Sequence, residues 1–199
     1  MTQISPRLIL GSSSPQRLEL LAQIGIIPDL AKGADIDETP LKGELPDKYA
    51  LRVALEKNVA LQNEFPNDFI LTSDTTGAVG RRIIGKPDTR DEAKKMFQLL
   101  SGRSHNVHTA VILKTPEGKT LQRLSTSRLK LKRLTDQEIE WLLDKNEWQN
   151  TATGCRLLRS TQRFVISVQG TPSSIIGLPL YETMQMLNGS GYKTDTPAV

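Results

Sequence analysis

The chain has 199 residues, of which 37% are hydrophobic and 24% charged, with a formal net charge of +4 at pH 7. This length suits one domain with a sizeable core, and the composition is typical of a globular protein. No apolar run reaches membrane-spanning length and residues 1–6 do not resemble a signal peptide, so we expect a cytoplasmic protein. One cysteine, Cys155, and two histidines argue against a disulfide framework and a zinc cluster. A carboxylate site for a divalent cation remains open.

Net positive charge is concentrated in the second half of the chain, because that half has fewer acidic residues. Lys and Arg number 13 against 14 Asp and Glu in residues 1–99, and 13 against 8 in residues 100–199. A basic half suits a polyanionic ligand, but charges of both signs are interspersed along it. No basic run alternates with aromatic residues, as it does in proteins that bind single strands. We therefore expect no stable nucleic-acid binding.

The first motif is a strand, a serine-rich turn and a helix. Residues 7–10 predict a buried strand and residues 15–24 predict a helix, with Ser12 and Ser14 in the turn between them. Free amides, hydroxyl donors and the positive end of the helix dipole make such a turn suitable for an anion. Arg17 adds a planar donor that matches phosphate oxygens. A simple serine-capped connection would also account for this stretch.

An acidic cluster and a helix follow. Residues 35–38 hold three carboxylates in four positions, which indicates either a solvated turn or part of a metal site. Residues 45–63 predict a helix, with Tyr49 on its apolar face. Lys57 lies on the same helix, where a lysine is most often a solvated surface group. Neither stretch shows by itself whether its charged side chains are only solvated or belong to a functional site.

A second buried strand is predicted at residues 69–73, and it ends at Asp74. A carboxylate at the carboxyl end of an apolar strand is a common position for chemistry in α/β sheets, although an aspartate there can simply form a turn. Residues 78–84 predict a hairpin, after which Lys86 is a second candidate contact for phosphate.

The rest of the chain predicts further helices and strands. In chain order these are a helix capped by Asp88 or Thr89, a hairpin over residues 107–131, a helix opened by the capping box Thr135–Glu138, a strand at residues 163–168 and a helix ending near residue 188. His105 and His108 beside the first hairpin strand are interpreted as packed or exposed strand residues rather than ligands. Residues 189–199 predict a flexible tail.

The order of these motifs resembles the Maf family of nucleoside triphosphate pyrophosphatases, also called septum formation proteins. The resemblance runs from about residue 7 to residue 188, and its motifs are Ser12 to Glu19, Asp35 to Glu38, Lys57, Asp74-Thr75, Gly85-Lys86-Pro87, Leu100-Ser101-Gly102 and Gly177-Leu178-Pro179-Leu180. It implies a mixed α/β (α+β) fold of the Maf/ITPase type, with an elongated mixed sheet, flanking helices and two lobes around a deep cleft. It also implies a single domain over residues 1–199 and a homodimer.

The resemblance implies hydrolysis of a nucleoside triphosphate to the monophosphate and pyrophosphate, assisted by Mg or Mn. Carried over residue by residue, Asp74 is the general base and a metal ligand, and Glu38 supports the metal or its water. The triphosphate contacts are Ser12, Ser14, Arg17, Lys57 and Lys86. Such an enzyme would clear non-standard or surplus nucleotides. The alternative is a nucleotide-binding regulator of cell division with weak or no catalysis.

Three positions associated with base choice depart from the family's patterns. The branch acting on dTTP and UTP has Arg, Thr and Gln there, and the branch acting on 7-methyl-GTP has Trp, Gln and Glu; this chain has Gln16, Thr75 and Leu158. Only Thr75 matches, and it matches the pyrimidine branch. Because a leucine cannot offer the hydrogen bonds of a glutamine amide, the sequence does not predict the preferred base. The surrounding segment, residues 154–162, also departs from the family motif.

Overall fold

The computed structural model describes residues 5–149, 151 and 159–193. The strands are β1 (Leu8–Leu10), β2 (Leu30–Ala31), β3 (Phe69–Val79), β4 (Arg82–Ile84), β5 (Ser104–Lys114), β6 (Thr120–Leu131) and β7 (Val165–Gln169). The helices are α1 (Pro15–Gln23), α2 (Pro46–Gln62), α3 (Arg90–Leu100), α4 (Asp136–Asp144), α5 (Pro172–Ile176) and α6 (Leu180–Gly189), with a 3₁₀ helix at Ser160–Phe164. These elements form the mixed α/β architecture that the sequence predicts.

Over the described residues, the strands form one mixed sheet in the order β2-β1-β3-β5-β6-β7, and β4 pairs with β3. The strand β3 is parallel to β1 only from Phe69 to Leu71, whereas it is antiparallel to β5 from Ile70 to Ala78. On the same edge of β3 that pairs with β1, the strand β4 pairs with β3 from Gly77 onward. One edge of β3 is therefore uncovered over residues 72–76, between the end of β1 and the start of β4.

Two large apolar clusters lie toward the two ends of β3. The first residues of β3 belong to a cluster with β1, α1, α6 and the end of β5, which includes Leu10, Leu71 and Leu187. Val79 at the other end packs against a cluster built by α3, α4 and the end of β6, which includes Phe97 and Leu131. The polar residues in the middle of β3 thus lie between the two apolar clusters. Because they belong to neither cluster, their side chains can contribute to a functional site.

The helix α2 packs against the central strands on the face opposite the one that carries Leu71. Its Ala50 and Ala54 contact Ala110 and Ile112 of β5 in a small apolar cluster. Because these contacts are made mainly by alanine, the helix lies close to the sheet and the lysine further along it is brought to the middle of β3. None of the helices in the described ranges is both long and apolar enough to cross a membrane.

Helix capping agrees with the sequence. Thr89, rather than Asp88, caps α3 and accepts a hydrogen bond from the Glu92 amide. At α4, the side chain of Thr135 accepts from the Glu138 amide while the Glu138 carboxylate accepts from the Thr135 amide, which is the predicted capping box. Both caps depend on residues three positions apart, so the local sequence determines them.

Several predicted boundaries change, and the hairpin strand predicted from residue 107 begins at Ser104. The prediction that a strand ends before Asp74 is wrong, because pairing with β5 continues β3 to Val79 and places Asp74 in mid-strand. The strand predicted at residues 163–168 begins at Val165, because Ser160–Phe164 winds into a 3₁₀ helix. Beyond Gly189, where we predicted a tail, the Tyr192 ring packs edge-on against Phe69 with 5.4 Å between centroids, and residues 194–199 lie outside the described residues.

Candidate active site

A cavity of about 160 Å³ lies at the uncovered edge of β3. Its walls come from the loop after β2, from α2, from the middle of β3 and from the end of the β3–β4 hairpin. The lining residues are Glu38, Pro40, Tyr49, Asp74, Thr75, Thr76, Ile83, Ile84, Gly85 and Lys86. The lining therefore combines charged, polar and apolar side chains.

Charges of alternating sign run through this cavity. Lys57 Nζ lies 2.9 Å from Asp74 Oδ1 and 2.8 Å from Glu38 Oε1. Lys86 Nζ approaches Glu38 Oε2 at 4.0 Å, and the Thr76 hydroxyl donates to Asp74 Oδ2 at 3.2 Å. Asp74 is only 5% exposed, so its partners rather than water satisfy most of its hydrogen-bonding capacity. Side chains from four separate segments are thus linked by a continuous series of ion pairs and hydrogen bonds, with Lys57 between the two carboxylates.

Arg17 lies next to this group but on a different side of β3. Its Nε donates to the Gly177 carbonyl at 2.9 Å and its Nη1 donates to Ser12 Oγ at 2.9 Å. The Ser73 hydroxyl donates to the same carbonyl at 2.9 Å. Since neighbouring strand residues point to opposite faces, Arg17 approaches β3 from the face opposite Asp74. Burial lowers the pKa of the Arg17 guanidinium, while the nearby Asp74 carboxylate acts against this shift.

Gly177 allows this arrangement because it has no side chain. Its φ is +138°, a conformation that other residues rarely adopt. A Cβ at this position would lie 3.5 Å from Arg17 Nε and 3.6 Å from Thr75 Oγ1, in direct contact with two candidate site residues. The glycine of the late sequence motif therefore brings a main-chain carbonyl against the arginine.

The candidate residues for base choice have partners of their own. The Ser14 hydroxyl donates to Gln16 Oε1 at 2.9 Å, and the Ser14 amide donates to Ser12 Oγ at 3.2 Å. The Thr75 hydroxyl accepts from Thr109 at 3.1 Å. Ser14 and Gln16 therefore bind each other at the start of α1, while Thr75 lines the cavity. Leu158 lies outside the described residues.

Sequence reasoning missed Tyr49. We assigned it to an apolar helix face, but its ring lines the cavity and its hydroxyl donates to the Glu38 carbonyl at 2.8 Å. Burial, reinforced by the carboxylates of Asp74 and Glu38, raises the pKa of Tyr49 to about 12. Its position two helical turns before Lys57 was the available signal. Periodicity did not reveal its role because tyrosine has both an apolar ring and a polar end.

The carboxylates present fit a hard divalent cation. Within the described ranges, no group of three or more His, Cys, Asp and Glu is arranged as a metal site. Glu38 and Asp74 nevertheless converge on one ammonium group. Mg²⁺ is commonly held by one or two carboxylates together with substrate phosphates, so two are enough. Of the acidic loop, only Glu38 turns inward: Asp35 and Asp37 are exposed, and Asp37 accepts from the Thr39 amide at 2.8 Å.

The chain is similar to known proteins both in its fold and in its sequence. The fold is similar to that of a HAM1 protein from Coxiella burnetii, with a TM-score of 0.50 and 14% identity over 92% of this chain and 99% of that one. This is the Maf/ITPase type of architecture that we expected. The sequence profile of the Maf-like protein family matches residues 7–190, and the chain therefore belongs to the Maf family.

Two relatives match this chain over most of its length. A protein from Caulobacter vibrioides is 44% identical over 188 residues, covering 94% of this chain and 97% of the relative. A protein from Rhodopseudomonas palustris is 45% identical over 193 residues, covering 94% and 93%. Both relatives are named dTTP/UTP pyrophosphatase.

Proposed function

We propose that this protein is a nucleoside triphosphate pyrophosphatase, which hydrolyses a nucleoside triphosphate to the monophosphate and pyrophosphate. One observation carries the proposal: a buried aspartate, a buried lysine and a glutamate form a continuous ion-paired group, Asp74–Lys57–Glu38, in a cavity of a Maf-family chain. The names of the relatives support the same activity.

In the proposed reaction, water attacks the α-phosphorus. The bond from that phosphorus to the oxygen bridging the α- and β-phosphates breaks, and pyrophosphate leaves with the bridging oxygen. Asp74, as a carboxylate, accepts a proton from the attacking water. The Lys57, Lys86 and Arg17 cations offset much of the charge of a triphosphate, which is about four negative charges. Because they come from both faces of β3, they can hold the chain of phosphates across its uncovered edge.

A divalent cation is part of the proposal. Asp74 and Glu38 would hold Mg²⁺ or Mn²⁺ together with phosphate oxygens. When bound, the cation would neutralise phosphate charge and polarise the phosphoryl group. Lys57 now occupies the space between the two carboxylates, so binding requires its ammonium group to shift toward the phosphates.

We propose dTTP and UTP as the first substrates to test. Thr75, the one position that matches the pyrimidine branch, lines the cavity next to Asp74. Gln16 Oε1 accepts from the Ser14 hydroxyl at the start of α1, which leaves the amide NH₂ group of Gln16 as the part that can donate to a ligand. A homodimer, implied by the family resemblance, and a cytoplasmic location both stay predictions.

The test is an assay that separates pyrophosphate from orthophosphate. The protein is incubated with Mg²⁺ or Mn²⁺ and with dTTP, UTP, the other standard triphosphates and a set of methylated and deaminated ones. We expect equal amounts of monophosphate and pyrophosphate from at least one nucleotide, and no product when a chelator removes the cation. Orthophosphate as the product would contradict the proposed bond cleavage. Binding of a nucleotide without any product would instead support the regulatory alternative.

A further inference from the structure

The loop that carries Glu38 has little structure of its own. It connects β2 to α2 over residues 32–45 and contains no helix or strand. Two consecutive carbonyls of this loop are bound by side chains of α2. The Tyr49 hydroxyl donates to the Glu38 carbonyl at 2.8 Å, and Arg52 Nη2 donates to the Thr39 carbonyl at 3.1 Å. The helix therefore fixes the loop at the residue whose carboxylate enters the site.

One helix holds Glu38 at both ends. Tyr49 binds its carbonyl, and Lys57, eight residues further along α2, binds its carboxylate at 2.8 Å. Eight residues correspond to about 12 Å of helix. Because both contacts come from one rigid element, the path of Glu38 along the cavity wall is fixed by α2 rather than by the loop.

The two carbonyl donors differ in what else they do. Arg52 also binds Glu44 through two hydrogen bonds, at 2.7 and 2.9 Å, and binds Glu56 at 3.0 Å. Its removal would break a whole network. The Tyr49 ring packs near Arg52, with 5.5 Å from the guanidinium carbon to the ring centroid. Phenylalanine at position 49 would keep this packing and lose only the hydroxyl, so Tyr49 can be tested cleanly.

We propose that Tyr49 is a positioning residue that acts through Glu38: its hydroxyl holds the Glu38 main chain so that the carboxylate reaches Lys57 and the cavity. The inference deepens the proposed function and rests on it for its kinetic consequence. A role for Tyr49 in proton transfer is disfavoured, because its hydroxyl proton is donated to the Glu38 carbonyl.

The first test is a double-mutant cycle in the pyrophosphate assay, with Tyr49→Phe and Glu38→Gln. We expect Tyr49→Phe alone to lower kcat about tenfold with KM within about twofold of wild type, since triphosphate binding by the cations is retained. In the Glu38→Gln background, Tyr49→Phe is expected to change kcat by less than about twofold. If the losses of kcat in the two single variants multiply in the double variant, the proposal is overturned, because Tyr49 would then act independently of Glu38. Tyr192→Phe is the matched control and keeps wild-type kinetics.

The second test does not depend on activity. Peptide-level hydrogen exchange of wild type and Tyr49→Phe is compared over residues 35–44. Loss of the anchor should accelerate exchange there about tenfold, while β3 and β5 keep their protection. Unchanged exchange in the loop would overturn the proposal even in an active enzyme. If exchange accelerates but the wild-type protein releases no pyrophosphate from any nucleotide, the anchor stands and the proposed function fails.

Discussion

Two lysines of this protein are almost fully buried, and they are held in different ways. Lys57 is 8% exposed and Lys114 is 4% exposed. Carboxylates surround the Lys57 ammonium group, whereas main-chain carbonyls surround that of Lys114, which donates to Phe65 at 3.4 Å, to Pro66 and to Asp68 at 3.5 Å. Burial lowers the pKa of Lys114, and the charge of Asp68 acts against this shift.

The difference shows that the partners of a buried cation are more informative than its burial. Carbonyl oxygens cannot accept a proton near pH 7, and those around Lys114 belong to the turn that joins α2 to β3, so this lysine closes a turn. Carboxylates can accept a proton or bind a metal ion, so the partners of Lys57 can exchange its ammonium group for a metal cation, which frees that group to bind phosphate. The partners of Lys57 therefore fit the proposed active site, whereas those of Lys114 fit a structural role.

The largest expected effect comes from the carboxylate bound to Lys57. Asp74→Asn removes the proton acceptor but keeps the shape of the side chain, so turnover should fall by about 10²–10⁴-fold while nucleotide binding is largely retained. Pyrophosphate release and nucleotide binding by calorimetry measure the two properties separately. Asp37→Asn, in the exposed part of the acidic loop, is the control. Turnover of Asp74→Asn within about threefold of wild type would refute its role as general base.

Exchanging each lysine for methionine tests the comparison directly. Lys57→Met removes a cation from the site, and we expect kcat/KM to fall by about 10²–10³-fold. Lys114→Met should leave kcat/KM within about twofold, because the turn it closes lies outside the cavity. Equal losses of activity in the two folded variants would show that burial, and not the type of partner, is what matters.

His105 extends the comparison to a buried base with no bound partner. Within the described residues neither ring nitrogen has a hydrogen-bond partner, and burial lowers the pKa of His105 from 6.5 to about 4. Below pH 6.5 the unfolded chain takes up a proton that the folded chain does not bind until about pH 4. The free energy of unfolding should therefore be unaffected by this residue above pH 6.5 and fall by ~3 kcal/mol as the pH drops to 4.

Urea unfolding of wild type and His105→Leu at several pH values between 7 and 4 measures this contribution. The variant should show a weaker loss of stability on acidification. His108→Gln is the control, because His108 is only half-buried and its Nδ1 lies 3.0 Å from the Thr126 hydroxyl. Identical pH dependence in wild type and His105→Leu would contradict the prediction.

The smallest expected effect is the loss of stability in Lys114→Met. Removing the ammonium group takes a donor from the Pro66 and Asp68 carbonyls, while the Phe65 carbonyl keeps the Asp68 amide, and the loss should cost about 1–3 kcal/mol. For a chain of this size, each kcal/mol corresponds to about 2–4 °C in Tm. Thermal unfolding measures the loss, and Lys119→Met, on the exposed hairpin turn, is the control. An unchanged Tm would show that water satisfies these carbonyls equally well.

Much of the fold was predictable because its signals are local. Alternation and periodicity located β1, α2, β3, the β5–β6 hairpin and α6, and the capping box marked the start of α4. The short elements β2 and α5 were not predicted, since two and five residues carry too little pattern. The wrong end of β3 has a different cause: the apolar run stops at residue 73, but pairing with β5 continues the strand through polar residues.

By itself, the sequence determined most of the helices and strands and two helix caps, and its motifs indicated a family with a phosphate-binding site. These features depend on contacts between residues up to about four positions apart, and such contacts can be recognised from the sequence. The family resemblance already named Glu38, but only the tertiary structure showed that it turns inward while Asp37 is exposed, and that Tyr49 binds its carbonyl. It also brought Arg17 to the carbonyl of Gly177, 160 residues away. Such pairings depend on where β1 ends beside β3. The spacing of residues along the sequence does not specify this position.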